Sequence, residues 1–89
     1  MAGKARTFWA TERIHGPAGR FRVVVSRMPA AGGNGREEYN ATLFRSADDG
    51  EEAVEAAFWR HSAPPHDADK LAFRERARKA AQGEAAPET

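Results

Sequence analysis

The candidate bases and nucleophiles of this sequence are His15, His61 and His66, the hydroxyls of Ser26, Ser46 and Ser62, and scattered carboxylates. Catalysis needs such groups to converge with tuned protonation. None of them falls in a recognisable catalytic spacing, so the chain reads as a binding protein and not an enzyme. His61 and His66 with Asp67 and Asp69 could be drawn as a metal site. The intervening Ala63-Pro64-Pro65 forces no ligand geometry, and there is no HxxxH or HExxH pattern. No metal and no cofactor is expected. The loop Gly32-Gly33-Asn34-Gly35 lacks the GxxxxGK[ST] form and leads into a strand rather than a helix, so it reads as hairpin punctuation and not a phosphate cradle.

The signal above background is arginine interleaved with aromatics. Arg13, Arg20, Arg22 and Arg27, with Trp9 nearby, fall on or beside one expected hairpin. The planar fork of arginine donates two parallel hydrogen bonds to a phosphate, and a two-stranded ribbon fits a major groove. Lys70, Arg74 and Arg78 recur at helical spacing, a stripe that a solvated face paired through Glu75 explains equally well.

Three β-like stretches must position these residues: Thr7–His15, Arg20–Met28 and Glu37–Arg45. They are separated by the turn signal Gly16-Pro17-Ala18-Gly19 and by a glycine loop at 30–35, where positive φ is expected. Short connections imply an antiparallel meander. A helix is then expected from Ser46 to His61. Asp48, Asp49, Glu51 and Glu52 crowd its first turn, and Val54, Ala57, Phe58 and His61 form its apolar stripe. Ser62-Ala63-Pro64-Pro65 ends it, and a second helix runs from Ala68 to about Gln82, capped by Asp67. The expected fold is α+β, in the order β-β-β-α-α. The domain covers 7–82, with disorder over 1–6 and 83–89.

Alternation assigns Phe8, Ala10 and Ile14, then Phe21, Val23 and Val25, then Tyr39, Ala41 and Leu43 to a core face under Val54 and Phe58. Glu12 conflicts with that register unless a bulge carries it to water. The reverse face receives Trp9, Arg13, Arg20, Arg22, Val24, Met28 and Phe44. Either the second helix covers this patch with Leu71, Phe73 and Ala77, or the patch awaits a partner.

The chain has 89 residues, no cysteine and a formal net charge of +1. That length supports one modest core, removing roughly 60–65% of the unfolded surface from water. Without disulfides, signal sequence or apolar span, the cytoplasm is the expected location and no membrane is expected. Heavy use of Ala, Gly and Arg is the composition of a GC-rich bacterial or phage genome. The small net charge hides a pattern. Residues 1–30 are basic, 31–69 hold nine of the carboxylates against three arginines, and 70–89 are basic again. Asp48, Asp49, Glu51, Glu52 and Glu55 would form a secondary acidic surface on the first helix.

From Phe8 to His61 the order of three strands and a helix resembles AP2-type domains and the arm-binding domains of tyrosine recombinases. The residues that carry this are Arg20–Val25, then Leu43-Phe44-Arg45-Ser46 running into Glu51-Glu52-Ala53-Val54-Glu55-Ala56-Ala57. The resemblance implies a helix-backed sheet that reads a DNA groove through Arg13, Arg20 and Arg22.

Two functions fit. The preferred one is a protein-interaction module binding a protein partner, such as a phage or mobile-element inhibitor (anti-CRISPR-like) of a host complex. Its contact site would be Trp9, Arg13, Arg20, Arg22, Val24 and Phe44, since aromatics, Met and Arg are enriched in interface cores. The alternative is nucleic-acid binding by the same arginine-bearing face, against which the small net charge counts.

Overall fold

Phe21-Arg22-Val23-Val24-Val25 favours extended backbone, because branched and aromatic side chains pack well on a pleated surface and lose χ1 freedom in a helix. That run forms the middle of the protein. A computed structural model describes residues 5–30 and 35–83. Its elements in chain order are β1 (Arg6–Ala10), β2 (Ile14–Gly16), β3 (Gly19–Pro29), β4 (Glu37–Ala47), β5 (Gly50–His61) and α1 (Asp67–Ala81). The strands make one five-stranded antiparallel sheet, in which β1 and β2 share one edge of β3, and β4 and β5 follow on its other side.

The expected three-stranded meander with two helices is therefore corrected to a five-stranded sheet with one C-terminal helix. The stretch expected as the first helix is strand β5, paired along β4 from Gly50 opposite Ala47 to His61 opposite Tyr39. Asp48 and Asp49 form the turn of this hairpin, and Gly50 has a φ of +145° that favours glycine. Of the carboxylates read as partners of a helix dipole, Asp48 and Asp49 are turn residues and Glu51 and Glu52 lie in β5. Ala and Glu are good helix formers, but propensity is worth only tenths of a kcal/mol per residue, and pairing with the hydrogen-bonding edge of β4 overrides it. The helix on which the AP2-type resemblance depended is absent from Phe8–His61.

Bulges set which side chains face the helix. In β1, Phe8 is an extra residue between Thr7, opposite Ser26, and Trp9, opposite Val25. In β5, Ala56, Ala57 and Phe58 together oppose Thr42, whose Oγ1 accepts a 3.0 Å hydrogen bond from the Ala57 N–H. Ala57 sits at φ +45°, a left-handed conformation that costs a residue with a Cβ. Each bulge lets two consecutive residues lean to the same side, breaking strict alternation. Both Phe-Trp pairs of the sequence, Phe8-Trp9 and Phe58-Trp59, sit at these bulges on the two outer strands.

The core lies between the sheet and α1. It comprises Phe21, Val23 and Val25 of β3, Tyr39, Ala41 and Leu43 of β4, and Phe73, Ala77 and Ala81 of α1. Phe73 is the hub, with Trp9, Phe58 and Trp59 ringing it at centroid distances of 6.3, 5.7 and 5.3 Å. Val54, expected in the core, is 49% exposed, as the extra residue between Ala53, opposite Phe44, and Glu55, opposite Leu43, and Leu71 is 64% exposed. Glu12 lies in the irregular segment between β1 and β2, where its carboxylate meets Arg74 at 3.2 Å, so the conflict it posed is absent.

The helix starts at Asp67 with His66 as its N-cap, and the Asp69 carboxylate accepts a 2.9 Å hydrogen bond from the His66 N–H. Its other end is fixed by contact. The Ala81 carbonyl accepts the Ala18 N–H at 2.9 Å, and a Cβ on Gly16 would come within 2.3 Å of that same oxygen. The expectation of positive φ at Gly32 and Gly33 lies outside the described residues. So does most of the expected disorder, since residues 1–4 and 84–89 are not described. Among the described residues no helix is long and apolar enough to cross a membrane.

Candidate interaction face

Strand pairing identifies the face turned away from α1. Reading across the sheet, Arg20 stands beside His15, Arg22 beside Phe44 and then Ala53, and Val24 between Ala10 and Thr42. Ser26 stands beside Asn40 and then Arg60, and Met28 beside Glu38. Among the described residues no second layer of chain covers this side; α1 packs on β2 and β3 from the other. Val24 is only 9% exposed there, while Met28 and Phe44 are half-buried. The result is a short apolar centre with hydroxyl, amide and arginine side chains around it.

One end of this face is held by charge. Arg22 donates from Nε and Nη2 to the two Glu51 carboxylate oxygens, each at 2.7 Å, and Arg13 Nε lies 3.7 Å from the same group. This bidentate geometry is the strong form of an arginine–carboxylate contact. The hydrogen bonds from Arg22 hold the Glu51 carboxyl below its ordinary range despite partial burial, with Arg13 adding to the effect. Beside it, the Ser46 Oγ is buried without a hydrogen-bond partner. Arg20 and Arg60 are exposed and have no carboxylate partner among the described residues.

The structure brings together Arg20, Arg22, Val24 and Phe44 on this face, and Arg13 reaches its rim from the segment between β1 and β2. It does not bring Trp9. The β1 bulge turns that ring to the helix side, where it meets Phe73 and lies 5.5 Å beneath Lys70 Nζ. Arg27 opposes Tyr39 on the helix side and pairs with Glu37 at 3.3 Å. The acidic residues do not form one surface either. Asp48 and Asp49 occupy the turn, and Glu51 faces the open side. Glu52 pairs with Arg45, and Glu55 lies 2.7 Å from Arg76 on the helix side. The basic stripe of α1 is engaged locally: Lys70 over Trp9, Arg74 with Glu12 and Arg78 with Glu75.

Sequence reasoning missed Arg60 as a member of the face, because it fell within the expected helix. The signal was present in Asp49-Gly50, a strong hairpin pair, and in the second Phe-Trp pair, a β-favouring step just ahead of Arg60. Among the described residues no three of His, Asp or Glu come together as a metal ion would require. Comparison with protein-family models, with curated proteins and with solved structures finds no match to this chain.

Proposed function

We propose that this chain is a protein-interaction module that seats a partner on the open face of its sheet. The observation that carries this is the one-sided layering: α1 packs on a single face, leaving Val24, Met28 and Phe44 on the other amid Arg13, Arg20, Arg22 and Arg60. Strands of 11 residues, about 3.3 Å apiece and about 4.8 Å apart across four strands, give a face of roughly 700 Å². That is close to the ~800 Å² per partner of a standard interface. The partner's matching surface is apolar at its centre and acidic at its rim, where Arg20 and Arg60 offer guanidinium groups with no carboxylate partner among the described residues. The lack of cysteine suits the reducing cytoplasm, where the proposal places the protein. An inhibitor that covers a working surface of a bacterial or phage-targeted complex is one form such a module takes.

Nucleic-acid binding is the second reading, and the free Arg20 and Arg60 favour it. Against it, a phosphate at Arg22 or Arg13 must displace the Glu51 carboxylate already seated there. Capture on immobilised chain from a lysate of the source cell separates the two. A protein retained by the parent chain and lost with both Phe44→Ala and Arg20→Glu, each still folded by circular dichroism, supports the proposal. Retained nucleic acid that is released steeply by salt supports the second reading instead. Retention unaffected by either variant removes the open face from the function.

A further inference from the structure

At the sheet end opposite the Asp48-Asp49 turn, a cleft of about 360 Å³ is lined by Arg36, Glu37, Glu38, Arg60, His61 and Ser62. It draws on both faces. Arg60 lies with Asn40 on the open side, while His61 lies with Tyr39 on the helix side, so the cleft wraps around the ends of β4 and β5. Its charged groups are unequally engaged. The Glu37 carboxylate is taken by Arg27 at 3.3 Å. Arg36, Arg60 and Glu38 have no ion pair among the described residues.

His61 is held in one orientation. Its Nδ1 accepts a 3.1 Å hydrogen bond from the Ala63 N–H, so the neutral ring carries its proton on Nε2. The ring stacks on Trp59 with centroids 5.8 Å apart and planes 15° from parallel. The cleft therefore presents two guanidinium groups without an ion pair among the described residues, a positioned imidazole N–H and the Ser62 hydroxyl, together with one carboxylate in the same condition. These are more donors than the two oxygens of a carboxylate ligand can use, and forked guanidinium groups match phosphate geometry. The Glu38 carboxylate is suited to accept hydrogen bonds from hydroxyls carried by the same ligand. The volume lies in the range of small-ligand sites.

We infer that this cleft binds a phosphorylated sugar compound of mononucleotide size. The phosphate is held by Arg36, Arg60 and His61, and the sugar hydroxyls by Glu38. This goes beyond the proposed docking of a protein, and Phe44→Ala separates the two because Phe44 lies on the open face but does not line the cleft. The test is a resonance titration of the full chain, following the Trp59 indole N–H and the His61 amide. A nucleoside 5′-monophosphate, a sugar phosphate, the unphosphorylated nucleoside and inorganic phosphate serve as probes. The expected result is saturable binding of a phosphorylated probe below about 1 mM, weakened about tenfold or more by Arg36→Gln and by removal of the phosphate. Glu38→Gln weakens the sugar-bearing probe but not inorganic phosphate. No saturable shift up to about 10 mM, or equal affinity in parent, Arg36→Gln and Arg60→Gln, overturns the inference. Inorganic phosphate binding as tightly as every sugar-bearing probe overturns it too, because the site would then take only an anion.

Discussion

Val23 and Val24 are adjacent in β3 and both are buried, but by different means. Val23 is sealed beneath α1 in the cluster around Phe73, Ala77 and Ala81. Val24 points the other way, where no second layer covers it among the described residues, and is flanked within the sheet by Ala10 and Thr42. One face thus has a second layer that excludes water from side chains on both sides of the contact. The other has side chains that shield one another while their outer surfaces remain available. Apolar area removed from water by a second layer stabilises the fold, at about 25 cal/mol per Å². Apolar area left on a sheet surface contributes less to folding and is what a partner can still bury. The same strands therefore separate, by the parity of the residue, apolar area that stabilises the fold from apolar area that a second layer does not cover among the described residues.

Phe73→Ala sharpens this separation most. The ring is 3% exposed and meets three other aromatic rings, so its removal leaves a cavity that the rigid sheet cannot close. A loss of about 3–5 kcal/mol is expected, enough to unfold much of so small a domain. Urea denaturation followed by circular dichroism measures it. A loss below about 1 kcal/mol would mean that α1 is not the layer holding the core. Gly16→Ala comes next. Its new Cβ would collide with the Ala81 carbonyl at 2.3 Å, forcing the helix end off the turn between β2 and β3. About 1–3 kcal/mol of destabilisation is expected, with faster amide exchange at Ala18, whose N–H bonds that oxygen.

How much of this was legible follows from which rules the chain obeys. In β3 and β4 alternation holds, and the core residues Phe21, Val23, Val25, Tyr39, Ala41 and Leu43 could be read directly. The turn at Pro17-Ala18 and the final helix were also readable, from proline and glycine, although the cap is His66 and not Asp67, which is the first helical residue. The outer strands were not. Trp9 follows a bulge and Phe58 lies within one, and a bulge shifts parity without leaving a signal in composition. Glu51-Glu52-Ala53-Val54-Glu55-Ala56-Ala57 has the composition of a helix, and only its pairing with β4, a non-local contact, makes it a strand. Of the expected contact site, the residues on β3 and β4 lie on one face, whereas Trp9 on bulged β1 does not.

Phe44→Ala tests the open face against the covered one. Its ring is half-buried beside Arg22 and Ala53, with no layer above it among the described residues. A cost of about 1 kcal/mol is expected in the denaturation midpoint, well below that of Phe73→Ala. Equal costs for the two rings would show that the open face is buried in the folded protein as it exists in solution, for instance by self-association. Sedimentation of the parent chain would then reveal the second copy.

The smallest expected effect concerns the charge that organises the open face. Arg22 hydrogen bonds lower the folded-state affinity of Glu51 for protons, with Arg13 assisting. A carboxyl depressed in the folded state adds stability above its unfolded pKa, and that contribution disappears as pH falls through the folded value. The pair is partly exposed, at 28% and 21% for the two side chains, so solvent screening limits it to about 0.5 kcal/mol. Glu51→Gln should therefore lower the urea midpoint slightly at pH 7, and the difference from the parent should vanish as pH drops well below the ordinary carboxylate range. On the covered face the corresponding comparison behaves otherwise. The deficit of Phe73→Ala rests on burial and not on charge, so it should persist across the same pH range. A Glu51→Gln deficit equally indifferent to pH would place the loss in packing around Arg22 instead, and would remove the electrostatic distinction between the two faces.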